Sequence, residues 1–177
     1  TLLDALFDVL LEWELHRAGL LLEEGIDELV HMAWYESSVF WTPKSFRRFI
    51  KPRLAQLVEK SHASGALFRY VITKDWQPIR EDLLELGVDC ICGVDPVQDK
   101  LDLQEVKSTI GGRVCLMGGI NAAVMLTQWS DEQIREAIRN AMRIMSPGSG
   151  FILFPVDNVF CELPWEKVQL VIEEYQR

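Results

Sequence analysis

Leu86-Gly87-Val88-Asp89-Cys90-Ile91-Cys92-Gly93-Val94-Asp95-Pro96 is the stretch that decides the fold. A helical pattern over 79–86, opened by Pro78, stops at Gly87. An apolar run of strand length follows at 90–94, and the polar pair Asp95-Pro96 leads into a second helical pattern at 101–110. The same unit recurs on both sides. Strand-length apolar runs lie at 29–34, 67–72, 114–117 and 151–154. Each is followed by a polar or glycine-bearing turn: Tyr35-Glu36-Ser37-Ser38, Thr73-Lys74-Asp75, Gly118-Gly119-Ile120-Asn121 and Asp157-Asn158. Five strand–helix units predict an α/β chain with a parallel sheet covered by helices. In such sheets ligands bind beyond the carboxyl ends of the strands, where those turns fall.

The remaining helices fit this alternation. Residues 2–22 carry Leu3, Leu6, Phe7, Leu10, Leu11, Glu14 and Ala18 at helical spacing, and Gly25 ends the run. Thr42 is an N-cap with Pro43 at the first helical position, and Pro52 predicts a kink or break further on. Ser130-Asp131-Glu132-Gln133 is a capping box heading a helix to Met145. A last helix from about Pro164 is expected to bury Trp165, Val168, Val171 and Ile172. No linker or composition break appears, so 1–177 reads as a single domain.

Length limits the architecture. A closed eight-unit barrel needs about 250 residues, with roughly 200 as a floor, and this chain has 177. Five units form either an open sheet or the C-terminal part of a longer barrel. A start at Thr1 favours a fragment or a processed product. The net charge of −9 argues against nucleic acid, and Lys44 to Lys51 reads as one solvated basic helix face. No signal peptide or membrane-length apolar run is present, and cysteines in strand patterns suggest reduced thiols in a cytoplasm. Alternation puts Cys90 and Cys92 on one strand face, toward the helices, which reads as packing rather than ligation.

Glu36, Asp95 and Asp157 stand just past three strand ends and are the candidate catalytic residues. Three carboxylates at one end of a sheet suit acid/base chemistry or cation binding; capping of the following turns is the alternative for Asp95 and Asp157. Tyr35 and Tyr70 offer phenol donors, Tyr70 being equally suited to filling the interior, and Lys74 offers a cation for an anionic substrate. Gly118-Gly119 permits close backbone approach, and Asn121 can orient a carboxylate or amide. Trp34, Trp41 and Trp76 fall near the same strand ends, where indoles suit a flat ligand or pack helices on the sheet. His16 and His62 lie in helical patterns and His31 in mid-strand, which leaves no His-based nucleophilic arrangement.

Phe40-Trp41-Thr42-Pro43-Lys44-Ser45-Phe46-Arg47-Arg48-Phe49-Ile50-Lys51-Pro52 resembles the SP-x-x-F-x-x-F-x-x-P segment of the uroporphyrinogen decarboxylase superfamily, which also holds the cobalamin- and corrinoid-dependent methyltransferases. Gly87-Val88-Asp89 with Val94-Asp95-Pro96, Met117-Gly118-Gly119-Ile120-Asn121 and Pro147-Gly148-Ser149-Gly150-Phe151-Ile152-Leu153 resemble its later motifs, in order. The resemblance implies a TIM-type (β/α)8 barrel of which this chain supplies the C-terminal five units. It also implies decarboxylation or methyl transfer on a small or cofactor-bound anionic substrate, with a corrinoid as the cofactor it admits. The methyltransferases' zinc-binding His-x-Cys positions fall on Val71 and Thr73, and the last ligand on Asp157 or Asn158. Valine cannot ligate zinc and threonine is a poor ligand, so no Cys/His zinc site is expected. The histidine of the decarboxylase Gly-His-Gly is absent near Val156-Asp157-Asn158, and Trp34-Tyr35-Glu36 and Phe68-Arg69-Tyr70 replace the usual ligands. A non-catalytic module binding a corrinoid or a protein is the alternative. With the first units missing, Leu116, Phe151 and Leu153 are expected on an uncovered barrel face, favouring self-association or a separate N-terminal half.

Overall fold

The computed structural model describes residues 1–157 and 159–177. Its five strands are β1 (Glu28–Met32), β2 (Leu67–Val71), β3 (Cys90–Val94), β4 (Cys115–Asn121) and β5 (Phe151–Val156). They form one sheet in sequence order, and the β1–β2 and β4–β5 pairings are parallel. Helices separate the strands, as the alternation predicts. By contacts the chain divides into two compact units, Thr1–Cys90 and Ile91–Arg177.

In the first unit, α1 (Leu2–Glu23) opens with a capping box closed between Thr1 and Asp4. Thr42 caps the short α2 (Pro43–Ser45), accepting from the Ser45 amide. The break expected at Pro52 takes the form of a π-helical turn, Phe46–Ile50, before α3 (Lys51–Ala63). Pro52 has no N–H to offer the preceding turn, and the Lys51 amide reaches five residues back to the Phe46 carbonyl. That turn presents Arg47 and Lys51 to Asp82 on α4 (Arg80–Glu85). Arg47 Nε lies 3.0 Å from both carboxylate oxygens and Lys51 Nζ 2.8 Å from one. The segment stays a largely solvated face, with Arg47 and Lys51 also drawn into a tertiary ion cluster. Asp89 is equally structural, its Oδ2 accepting from the Phe68 amide at 2.7 Å and lying 2.7 Å from His62 Nε2.

In the second unit, Asp102 caps α5 (Leu103–Ile110), and α6 (Met125–Gln128) follows β4. Ser130 and Gln133 close the capping box of α7 (Asp131–Met145). The core gathers Ile120, Ala122, Met125, Leu126, Ile134 and Ile138 with Leu170 of α8 (Trp165–Tyr175). On α8 the expected stripe is displaced: Trp165 and Ile172 are exposed, and Leu170 and Glu174 are buried. Glu174 accepts from Arg135 at 2.8 Å and Arg139 at 2.7 Å, so paired charge replaces apolar packing on that side.

The uncovered side of the sheet carries other residues than expected. Leu116 is wholly buried, and Phe151 and Leu153 are only partly exposed. Leu153 packs on the core under α7 and α8. The exposed strand residues are Val30, Met32, Leu67 and Ile152. Because side chains alternate along a strand, assigning one residue to the wrong face transfers its whole set.

Candidate functional site

Each unit carries one polar cluster built on strand ends. In the second unit Asp95 is the residue after β3 and is 1% exposed. Oδ1 accepts from the amides of Val97 at 2.8 Å and Gln98 at 3.1 Å, so the turn-capping role is real. Oδ2 accepts from Asn121 Nδ2 at 2.8 Å, which capping does not require. Asn121 ends β4, wholly buried, and the same Nδ2 lies 3.4 Å from Oδ2 of Asp157, the residue after β5. Its own Oδ1 accepts from the Val124 amide at 2.8 Å, fixing which end of the side chain points at the carboxylates. Asp157 is less buried than Asp95 and adopts φ +67°, a left-handed conformation that costs a non-glycine residue roughly 1–3 kcal/mol. Three strand ends thus converge on a carboxylate–amide–carboxylate array.

Gly118 and Gly119 do not form the expected turn. They lie inside β4, which continues to Asn121. Their φ values of +148° and +92° suit glycine, and a Cβ on Gly118 would overlap the Val94 carbonyl and stand 2.8 Å from its nitrogen. Gly118 lets β4 pass close to β3, which delivers Asn121 to Asp95, while Gly119 leaves room for the Phe151 and Ala141 side chains.

In the first unit Glu36 joins Tyr70 and His31. Glu36 Oε1 lies 2.8 Å from His31 Nε2, and Oε2 accepts from the Tyr70 hydroxyl at 2.8 Å. His31 and Tyr70 are register partners on β1 and β2, and their rings stack with centroids 5.8 Å apart. Burial disfavours a charged His31, but the hydrogen bond to Glu36 and the charges of Glu36 and Glu14 outweigh it, leaving the imidazole pKa above its ordinary value. Burial, then the Glu36 charge and hydrogen bond, push the Tyr70 phenol well above its usual value. Tyr70 therefore stays a donor. A mid-strand position gives His31 no local signal of function; its place four residues before the polar turn Tyr35-Glu36-Ser37-Ser38 is the one hint in the sequence.

The other candidates are dispersed. Tyr35 is 70% exposed and meets Phe40 edge-on at 5.3 Å. Lys74 is exposed in the turn after β2. Trp34 is exposed, whereas Trp76 is wholly buried and is core. Cys90 and Cys92 are buried free thiols. At the positions aligned with the methyltransferase zinc ligands, Val71 closes β2 and Thr73 follows it. A hydrocarbon and a hydroxyl do not make a thiolate site, and Asn158 lies outside the described residues. Among the described residues no group of three or more His, Cys, Asp or Glu side chains is arranged to hold a metal. Nor, among them, is any helix long and apolar enough to cross a membrane.

Parallel strands in sequence order, with helices between them and polar residues at the strand ends, define an α/β protein of TIM-barrel type. The solved structure of a methyltransferase from Methanosarcina mazei superposes with TM-score 0.80 over 98% of this chain, at 21% identity. The chain spans about half the length of that protein, 48% of it. The uroporphyrinogen decarboxylase (URO-D) family model matches residues 3–177, and the chain belongs to that family. Comparison with curated proteins found no match.

Proposed function

We propose that the chain is part of a barrel enzyme acting on a small or cofactor-bound anionic substrate, by decarboxylation or methyl transfer, without a Cys/His zinc site. The observation that carries this reading is the single Asn121 amide donating to both Asp95 and Asp157. Both reactions need one proton handled beside the substrate. Decarboxylation leaves a carbanion to be protonated, and methyl transfer needs its acceptor deprotonated. Asp157, the more open carboxylate, is the proton-transfer group in this reading. Asp95, saturated by three donors, is a positioning residue that aims Asn121.

The second reading is a non-catalytic module that binds a corrinoid or a protein. It is favoured by the exposed aromatic surface after β1, where Trp34, Tyr35 and Phe40 present rings to which a flat macrocycle could stack. The test is to assay the full-length protein for porphyrinogen decarboxylation and for methyl transfer from methylcobalamin, alongside Asp157→Asn. An activity that falls about 10²-fold or more in the variant supports proton transfer by Asp157. Corrinoid binding without turnover supports the second reading, and an active Asp157→Asn enzyme removes Asp157 from the mechanism.

A further inference from the structure

Leu2, Leu6, Val9, Trp13 and Leu20 of α1 are each more than half exposed. They recur at steps of four, three, four and seven residues, and His16, also exposed, fills the gap between Trp13 and Leu20. That is the a/d spacing of a coiled-coil seam, held over about three heptads of a helix about 33 Å long. The opposite face is already occupied within the chain. Ala18 and Leu22 are buried, the Phe7 ring meets Trp41 at 5.8 Å and Phe49 at 6.3 Å, and Asp8 pairs with Arg53 of α3. A helix apolar on both faces buries the second one against another partner.

The charges beside the stripe select that partner. Glu12 and Arg17 flank it on opposite sides, five residues apart. In a parallel, in-register pair of helices such positions face each other across the seam, so Glu12 of each copy meets Arg17 of the other, twice by symmetry. An antiparallel pair would instead set Glu12 against Glu12. A lipid surface fits poorly, because interfacial helices are basic on their polar face and α1 carries Asp4, Asp8, Glu12, Glu14 and Glu23. Each stripe residue offers roughly 60–120 Å² of apolar surface; with Leu3 and Leu10 on the flank, two copies would bury about 1,200 Å², the lower end for a specific interface.

We infer that α1 docks a second copy of this chain, helix against helix, in a parallel two-fold seam. This surface is separate from the open strand face at β1 and from the Asp95–Asn121–Asp157 array, and it does not rest on the proposed chemistry. His16 stands at a seam position, where a polar side chain fixes register at a cost in stability.

The test is sedimentation velocity of the full chain carrying Val30→Lys and Met32→Lys, which charge the open strand face. A monomer–dimer equilibrium at roughly micromolar concentration is expected. Val9→Glu, at an exposed position, should weaken it at least about tenfold with circular dichroism unchanged. Glu12→Arg and Arg17→Glu should each weaken it about three- to tenfold by facing like charges, and the double reversal should restore it to within about twofold. His16→Leu should tighten it about tenfold. Arg17 also lies over Trp13 at 4.5 Å and pairs with Glu14 at 3.2 Å. Should Arg17→Glu disturb the helix, the opposed effects of Val9→Glu and His16→Leu decide the matter. A monomer at every concentration would give the stripe to a different partner and overturn the assignment. So would a dimer indifferent to Val9→Glu or Glu12→Arg, or a folded double reversal that restores nothing.

Discussion

Glu36 uses its two carboxylate oxygens on different partners, and each has a measurable consequence. Tyr70→Phe removes the donor to Oε2 and leaves a half-buried carboxylate oxygen unmatched. We expect a loss of about 1–3 kcal/mol in denaturant unfolding, with no change in secondary structure. His31 makes the same network sensitive to pH. Its folded pKa is raised, so below about pH 6.5 folded and unfolded chains both hold the proton and the stabilisation is complete. As pH rises past that value the unfolded chain releases its proton first, and stability declines until the folded pKa is passed. Thermal melting followed from pH 5 to 9 should show this alkaline decline in the unaltered chain and a flatter profile in Glu36→Gln. An equal slope in both would remove the pair as its source.

At the scale of elements, β4 depends on Gly118 to pass β3. Gly118→Ala sets a Cβ against the Val94 backbone and forces an L residue to φ +148°. Overlap and backbone strain together predict a loss of roughly 2–5 kcal/mol, and an amide spectrum disturbed around Asp95 and Asn121. An alanine variant as stable as the parent would show that the approach can relax. In the first unit, the π-helical turn before Pro52 sets Arg47 and Lys51 on Asp82. Burial works against ionising Asp82, but its bonds to both cations lower its pKa below the ordinary value. That stabilisation is complete above the unfolded carboxylate range and is lost as pH falls through the folded pKa. Asp82→Asn should therefore flatten the acid limb of the stability profile and destabilise the chain at neutral pH.

For the whole molecule, β1 and β5 are the ends of the strand order, and exposed apolar residues remain on the strands: Val30, Met32 and Leu67 in the first unit and Ile152 in the second. Burying each such side chain stabilises by roughly 1.5–3 kcal/mol, and open sheet edges seek partners. We expect the isolated 177-residue chain to self-associate, with Val30→Lys and Met32→Lys weakening the association; a separate N-terminal half of a barrel is the other partner that would cover this surface. Sedimentation velocity across a concentration series gives the check. A monodisperse 20.4 kDa monomer at all concentrations would contradict it.

The sequence by itself determined the order and type of the elements, because period, caps and turn residues are local properties. The N-caps Thr42 and Ser130 and the strand at 90–94 stand where the residues place them. The positions of Asp95 and Asp157 just past strand ends were legible in the same way. Only tertiary structure decided which side chains meet. Gly118-Gly119 reads locally as a turn, yet close passage beside Val94 holds it in the strand. His31 looked like strand filling until β2 put Tyr70 beside it and Glu36 folded back on both. The exposed apolar set fell on Val30, Met32 and Ile152 rather than Leu116, Phe151 and Leu153, because alternation gives two faces and only packing against the helices says which is inward.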